Sequence, residues 1–329
     1  MTSTISDISV VMCAYTEDRW DDMCAGVDAL RRQTFPAHEI VVVIDHNPVL
    51  FQRTRAHMPD ITVIENEETR GLSGARNSGI AVASGSIIAF IDEDAVADPQ
   101  WLAHIHAGFA NPQVMGVGGS IEPMWQTGRP TWFPAEFDWV VGCTYRGMPQ
   151  TTSQVRNLIG CNMAFRREIF DNVGGFRNGI GRVGKRPVGC EETELCIRVN
   201  QRWPHSIMLY EPRARVAHRV PTSRANWDYF RSRCYSEGLS KALVTNLVGA
   251  QDGLSSERTY TLRTLPQGVF RGVVNTVKGH PAGIQQSGAI TLGLALTAFG
   301  YLKGKYVERS SVSHMPATEQ NTVRSESAS

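Results

Sequence analysis

The chain has 329 residues, enough for one large domain or two fused ones. Hydrophobic residues make up 42% and charged residues 20%, which fits a globular protein with a sizeable core, while a net charge of +1 gives no electrostatic basis for nucleic-acid binding. The seven cysteines form no CxxC pair, which argues against a disulfide framework or zinc ribbon and for a reducing compartment, and the N-terminus lacks the pattern of a signal peptide.

The first third alternates strand and helix signals. "ISVVMCAY" (8–15), "EIVVVID" (39–45), "ITVIE" (61–65) and "SIIAFID" (86–92) are short apolar, β-branched runs. "RWDDMCAGVDALRRQ" (19–33) places Trp20, Met23, Cys24, Val27 and Leu30 at helical spacing, and "GLSGARNSGIAVASG" (71–85) has a helical interior stopped by Gly85. Continuous apolar strands alternating with helices predict an α/β fold with a mostly parallel central sheet.

After residue 112 the pattern loosens. "VMGVGGSIEP" predicts a strand, and 125–156 reads as a long irregular excursion carrying Trp125, Trp132 and Trp139. "LIGCNMAFRREIFDNVGGF" (158–176) predicts a strand, a short helix and a glycine turn. "GIGRVGKRPVG" (179–189) is a glycine-rich loop with Arg182, Lys185 and Arg186, a candidate to close over a diphosphate. "CEETELCIRVNQRW" (190–203) is a helix with acids in its first turn, where the dipole favours them. Two short strands near 207–209 and 213–218 precede a long helix over 224–248.

The final third is helical in character. Residues 281–302 carry no formal charge and match a bilayer crossing in length, but Gln285, Gln286, Ser287 and glycines dilute the stretch. A buried or interfacial helix is the favoured reading, with Lys303, Lys305 and Arg309 suited to a membrane surface. The expected organisation begins with a domain over 1–223, whose residues 1–122 bind the nucleotide sugar and whose residues 123–223 bind the acceptor. A helical and membrane-associated region over 224–308 follows, then a disordered tail over 309–329.

In open α/β sheets ligands bind beyond the carboxyl ends of the strands. Asp45 ends one such strand, and Asp92, Glu93 and Asp94 crowd the end of another. In an extended segment Asp92 and Asp94 share a side and Glu93 points elsewhere. Two carboxylates together suit a hard cation such as Mg²⁺ or Mn²⁺, which offsets their repulsion; a solvated loop is the rival reading.

"ISVVMCAYTED", "ALRRQTFPAHEIVVVID", "NEETRGLSGARNSGIAVASGSIIAFIDEDA", "GCNMAFRREIFDNVGGF", "CEETELCIRV" and "ARVAHRV" occur in this order. Together, over about residues 8–240, they resemble the inverting family 2 glycosyltransferases of GT-A fold, a Rossmann-like nucleotide-diphospho-sugar transferase architecture. Within that family the chain is most similar to transferases acting on lipid-linked sugars, of the glucosyl-dolichyl phosphate glucuronosyltransferase type, also in "LPQGVFRG…GYLKGK".

The resemblance implies roles residue by residue. Ala14, Tyr15 and Glu17 would face the nucleotide base, and Asp45 the uracil or ribose. Gly71 and Arg76 would line the sugar-nucleotide pocket, with Arg76 meeting a phosphate. Asp92 would face the ribose or metal, Asp94 would ligate the metal, and His218 would complete the site. Arg231 and Tyr235, at i and i+4, would hold a phosphate. The family's usual Glu–Asp pair is here Glu191–Glu192, so Glu192 is the expected general base with Glu191 second. Each assignment has a plain structural rival: a helix-capping acid, a turn residue, a core histidine, a solvated face. The implied activity is inverting transfer from a nucleotide-diphosphate sugar, UDP-linked and carrying glucuronate or glucose, to a hydroxyl of a glycan or polyprenyl-linked acceptor. A Mn²⁺ or Mg²⁺ cofactor and a place in the cytoplasm, at the inner face of the membrane, go with it. A nucleotidyltransferase is a rival, disfavoured because "CAYTEDRW" lacks a glycine-rich phosphate loop; a non-catalytic sugar- or lipid-binding protein on this fold is another.

Overall fold

The computed structural model describes residues 6–180, 189–249 and 259–313. The loop residues Arg182, Lys185 and Arg186 lie outside the described residues.

Strands β1 (Ile8–Ala14), β2 (Glu39–Ile44), β3 (Thr62–Glu65) and β4 (Ile87–Asp92) pair in parallel in the order β3-β2-β1-β4. The sheet continues through β8 (Asn162–Arg166), β6 (Val114–Trp125), β9 (Ile207–Val220) and β5 (Ala95–Ala97), with β7 (Ser153–Val155) also against β9. β8 runs antiparallel to both β4 and β6, whereas β6 and β9 are parallel. The sheet is therefore mixed, with β1–β4, β6 and β9 pointing one way.

Its two faces are covered by different helices, and the odd–even alternation of the strands divides the side chains between them. Val10, Met12, Val42 and Ile44 pack with α1 (Trp20–Arg31) and α4 (Trp101–Gly108). Val11, Cys13, Val41 and Val43 pack with α3 (Leu72–Val82), α5 (Arg167–Val173) and α6 (Glu191–Arg202). This is why β1 is buried along its whole length.

Several elements differ from expectation. Helix α2 (Pro48–His57) fills a stretch with no assigned element. Asn47 Oδ1 accepts from the Leu50 amide at 3.0 Å and Pro48 opens the helix, but only Leu50 and Thr54 are buried, so no apolar period marks it. The two strands expected near 207–209 and 213–218 are one bulged strand, β9, whose register against β6 shifts between Gly119 and Ile121.

The C-terminal helices are α7 (Trp227–Val248), α8 (Leu265–Val277) and α9 (Ala282–Ser313), with a π turn over Tyr260–Thr264 leading into α8. α9 runs past residue 309, where a disordered tail was expected; 314–329 lie outside the described residues. Phe230, Cys234, Leu265, Ala289 and Ile290 join the apolar cluster that contains β1, so these helices share the sheet's core. α7 and α9 cross closely. A Cβ on Gly238 would lie 2.1 Å from the Thr297 carbonyl oxygen, and one on Gly300 would lie 2.2 Å from that of Tyr235. The glycines that dilute 281–302 thus permit helix contact. No helix among the described residues is long and apolar enough to cross a membrane.

Candidate active site

One cavity of about 410 Å³ collects most of the chemistry-bearing residues. Arg76, Asp92, Asp94, Glu191, Glu192 and His218 all line it. They come from α3, the turn after β4, the first turn of α6, and β9. Antiparallel pairing of β5 with β9 sets Ala95 opposite His218, which brings the histidine beside Asp94.

Asp94 is buried, and two guanidinium groups and an imidazole surround it. Arg19 Nη1 lies 3.0 Å and Arg224 Nη2 3.7 Å from Oδ2, and His218 Nε2 lies 3.0 Å from Oδ1. Burial alone would push the Asp94 carboxyl up; the charge of His218, then those of Arg19 and Arg224, outweighs it and holds the pKa well below the usual carboxylate range. Arg19 also pairs with Glu93 at 2.6 Å. Residues 93 and 94 form a turn, so one guanidinium reaches both acids, yet Asp92 and Asp94 face the cavity and Glu93 does not. Desolvation is the main reason the Glu93 carboxyl is pushed up to about 7.

Of the residues expected on a metal, Asp92 and His218 come together, with Cys161 rather than Asp94 as the third close donor. One donor atom each from Asp92, Cys161 and His218 lies within 4.8 Å of the others, and Asp94 adjoins this group through His218. Burial raises the Cys161 thiol well above its ordinary pKa, so it stays neutral and is a poor ligand for a hard cation. The fit of a cation rests on Asp94 Oδ1: the oxygen is buried and lies 3.0 Å from His218 Nε2, with no other hydrogen-bond donor on it among the described residues. Carboxylate oxygens and an imidazole nitrogen lining one cavity are the donor types that Mn²⁺ accepts readily.

Arg76 was expected on a phosphate. It is instead buried between two acids, with Nη1 2.7 Å from Glu191 Oε1, Nη2 3.6 Å from Asp92 Oδ1, and Nη2 donating to the Gly160 carbonyl at 3.1 Å. It ties the acidic end of β4 to the opening turn of α6. Glu191 is thereby neutralised and held. Glu192 is only half-buried and faces the cavity, and burial, followed by the neighbouring Glu191 charge, pushes its carboxyl up to about 8. A carboxylate with a raised pKa and no guanidinium on it can accept a proton near neutral pH.

Other expected residues lie elsewhere. Asp45 is buried, and both its oxygens accept from the protein itself: from Asn66 Nδ2 at 2.7 Å and from the Gly71 amide at 3.0 Å. These contacts fix the turn into α3, where Gly71 has φ 129°. Ala14 is buried at the end of β1, while Tyr15 and Glu17 are exposed beside the cavity rather than in it, tied by Asn47 Nδ2 to the Tyr15 carbonyl and Glu17 Oε1. Arg231 points to solvent and pairs with Asp228 at 2.6 Å, and Tyr235 packs on Phe299. The helical turn explains this correction. Phe230 and Cys234 face the core, which carries Arg233, Glu237 and Lys241 to the cavity and turns Arg231 away. Of the tryptophans, Trp132 stacks on Trp227 with centroids 4.0 Å apart, and Trp139 lines the cavity.

Residues 9–174 match the family described as Glycosyl transferase family 2. The chain is also 32% identical over 302 residues to a glucosyl-dolichyl phosphate glucuronosyltransferase of Haloferax volcanii, covering 90% of this chain and 96% of that protein. The chain belongs to glycosyltransferase family 2. It is a glycosyltransferase that draws on a nucleotide-sugar donor, and its fold is GT-A. Two solved structures share that fold at low identity. A mannosyltransferase from Pyrobaculum calidifontis, in complex with GDP-Man and Mn²⁺, superposes with TM-score 0.55 at 16% identity over 90% of this chain and 88% of its own. GalNAc-T7 with UDP, GalNAc and Mn²⁺ superposes with TM-score 0.52 at 17% identity, over 78% of this chain; the chain spans about half of that structure, 52%.

The glycosyltransferase carries cavity residues that pattern reading passed over: Arg19, Cys161, Arg156 and the Arg233–Glu237–Lys241 face. Only the last left a sequence signal, since acids and bases at i, i+4 and i+8 flank the apolar face of α7.

Proposed function

We propose that this glycosyltransferase moves a sugar from a UDP-linked donor, with inversion, to a hydroxyl of a polyprenyl-linked sugar at a membrane surface. The observation that carries this reading is the single cavity holding Asp92, Asp94 and His218 together with Glu192. Asp92, Asp94 and His218 hold a Mn²⁺ or Mg²⁺ ion, which when bound offsets the charge of the diphosphate. Tyr15 and Glu17, exposed at the end of β1, receive the nucleoside. Glu192 takes the proton of the acceptor hydroxyl as the anomeric bond to the diphosphate breaks. The ion pair of Glu191 with Arg76 positions that helix turn. The donor sugar is glucuronate, by likeness to the Haloferax glucuronosyltransferase.

The apolar arm of the cavity supports a lipid-linked acceptor. Tyr260, Leu265, Leu294, Ala298 and Tyr301 line it, all from the α8–α9 region. Outside, the same helices expose Phe270 (71%), Val277 (84%) and Leu302 (65%), with Arg263, Lys278 and Lys303 among them. Exposed apolar and basic side chains of this kind suit contact with a bilayer surface rather than a crossing.

Nucleotide sugars are screened by thermal shift with and without Mn²⁺. A UDP-sugar at about 100 times its Kd should add about 2.7 kcal/mol, dependent on the ion. No stabilisation by any UDP-sugar, or equal stabilisation after chelation, would count against the reading.

A further inference from the structure

We infer that Arg233, Lys241 and Arg156 form a subsite for the phosphate of the acceptor, set between the base and the apolar arm; this rests on the proposed acceptor class. Arg233 and Lys241 stand two helical turns apart on α7, on either side of Glu237. Arg233 Nη2 lies 3.8 Å and Lys241 Nζ 3.3 Å from the two oxygens of Glu237, so the carboxylate aligns both cations along one wall. Arg233 is nine-tenths buried, and Arg156 enters the same cavity from the segment between β7 and β8.

The order of chemistry along the cavity identifies the ligand. This face of α7 touches the start of α6: the Gly189 amide donates to Ser240 Oγ at 3.2 Å, and Cys190 Sγ lies 3.7 Å from Glu237 Oε1. The cations therefore lie within a turn or two of Glu192. On their other side α7 meets α9, where Gly238 abuts Thr297 and Tyr301, and the apolar arm begins. Base, cations and apolar arm follow one another as reactive hydroxyl, phosphate and hydrocarbon do in a glycosyl alkyl phosphate. Guanidinium forks and a lysine ammonium are the side chains that recognise phosphate oxygens. The donor's diphosphate is the other source of phosphate, but it belongs with Asp92, Asp94 and His218, across Glu192.

The test is direct binding by calorimetry of two probes, octyl glucosyl phosphate and octyl glucoside, to the full chain and to Arg233→Gln and Lys241→Gln, with UDP plus Mn²⁺ titrated in parallel. The wild type should prefer the phosphate probe, and each variant should weaken that probe by about ten-fold or more while leaving the glucoside and UDP nearly unchanged. Lys241, part-exposed, provides the variant least prone to folding loss. Equal loss of both probes, no loss of either, or weakened UDP instead would each overturn the subsite. Because binding is read without turnover, failure here is separable from failure of the transferase reading, which would show as absent UDP binding in the wild type.

Discussion

Replacing Arg76 by methionine keeps much of its bulk and its helix propensity and removes one charge. In the native chain the guanidinium sits 2.7 Å from Glu191, which is 4% exposed, and it is itself 2% exposed. Breaking a buried pair from one side strands the other charge, at a cost of about 3–5 kcal/mol. Unfolding entropy near the midpoint is about 2.1 cal/mol/K per residue, or roughly 0.7 kcal/mol/K over 329 residues, so Tm should fall by about 4–7 °C. The assay is calorimetric melting of four proteins: wild type, Arg76→Met, Glu191→Gln and the double variant. Removing the stranded acid should restore a large share of the loss, giving a coupling of about 2 kcal/mol. If Arg76→Met melts within a degree of wild type, or the two losses simply add, the pair does not hold α3 to α6 as described.

Other predictions follow from the same geometry. Asp94→Asn removes the charge from the carboxylate and should weaken Mn²⁺ binding measured by electron paramagnetic resonance in the presence of UDP, by at least about ten-fold; unchanged affinity would place the ion elsewhere. The transfer rate should rise with pH through the region of about 8, because Glu192 acts as a base only after losing its proton and its pKa is raised; a rate flat from pH 6 to 9 would argue against it. Stability should move the other way. Glu192 and Glu93 keep protons in the folded state above the ordinary carboxylate pKa of about 4.3, so unfolding free energy should fall as pH rises from there toward 7–8. Glu93→Gln should flatten that slope in pH-dependent denaturation. Gly300→Leu forces a side chain against the α7 backbone and should cost about 1–3 kcal/mol or more in chemical denaturation, with α7 and α9 loosened first in hydrogen exchange.

Much of the scaffold was legible because its strands are buried on both faces. β1 and β2 read as unbroken apolar runs, and the acids at the end of β4 stood out against them. What the sequence hid was set by tertiary contact. Asp45 looks like a ligand residue at a strand end, but only the fold shows Asn66 and Gly71 each donating to one of its oxygens. Arg76 looks like a phosphate anchor until Glu191, 115 positions away, is seen against it. Arg231 and Arg233 differ by about 200° around α7, and the apolar residues Phe230 and Cys234 decide which one reaches the cavity. Cys161 comes beside Asp92 and His218 through strand pairing of β8 with β4, a non-local event with no local signature.

The central claim is that Glu192 deprotonates the acceptor across one cavity from the metal-facing acids. Measuring kcat for Glu192→Gln, alongside its UDP–Mn²⁺ affinity and Tm, tests it most directly. The account predicts a loss of about 10²–10⁴ in kcat with donor affinity and fold retained. Near-wild-type kcat in that variant, or donor affinity lost in step with kcat, would contradict it.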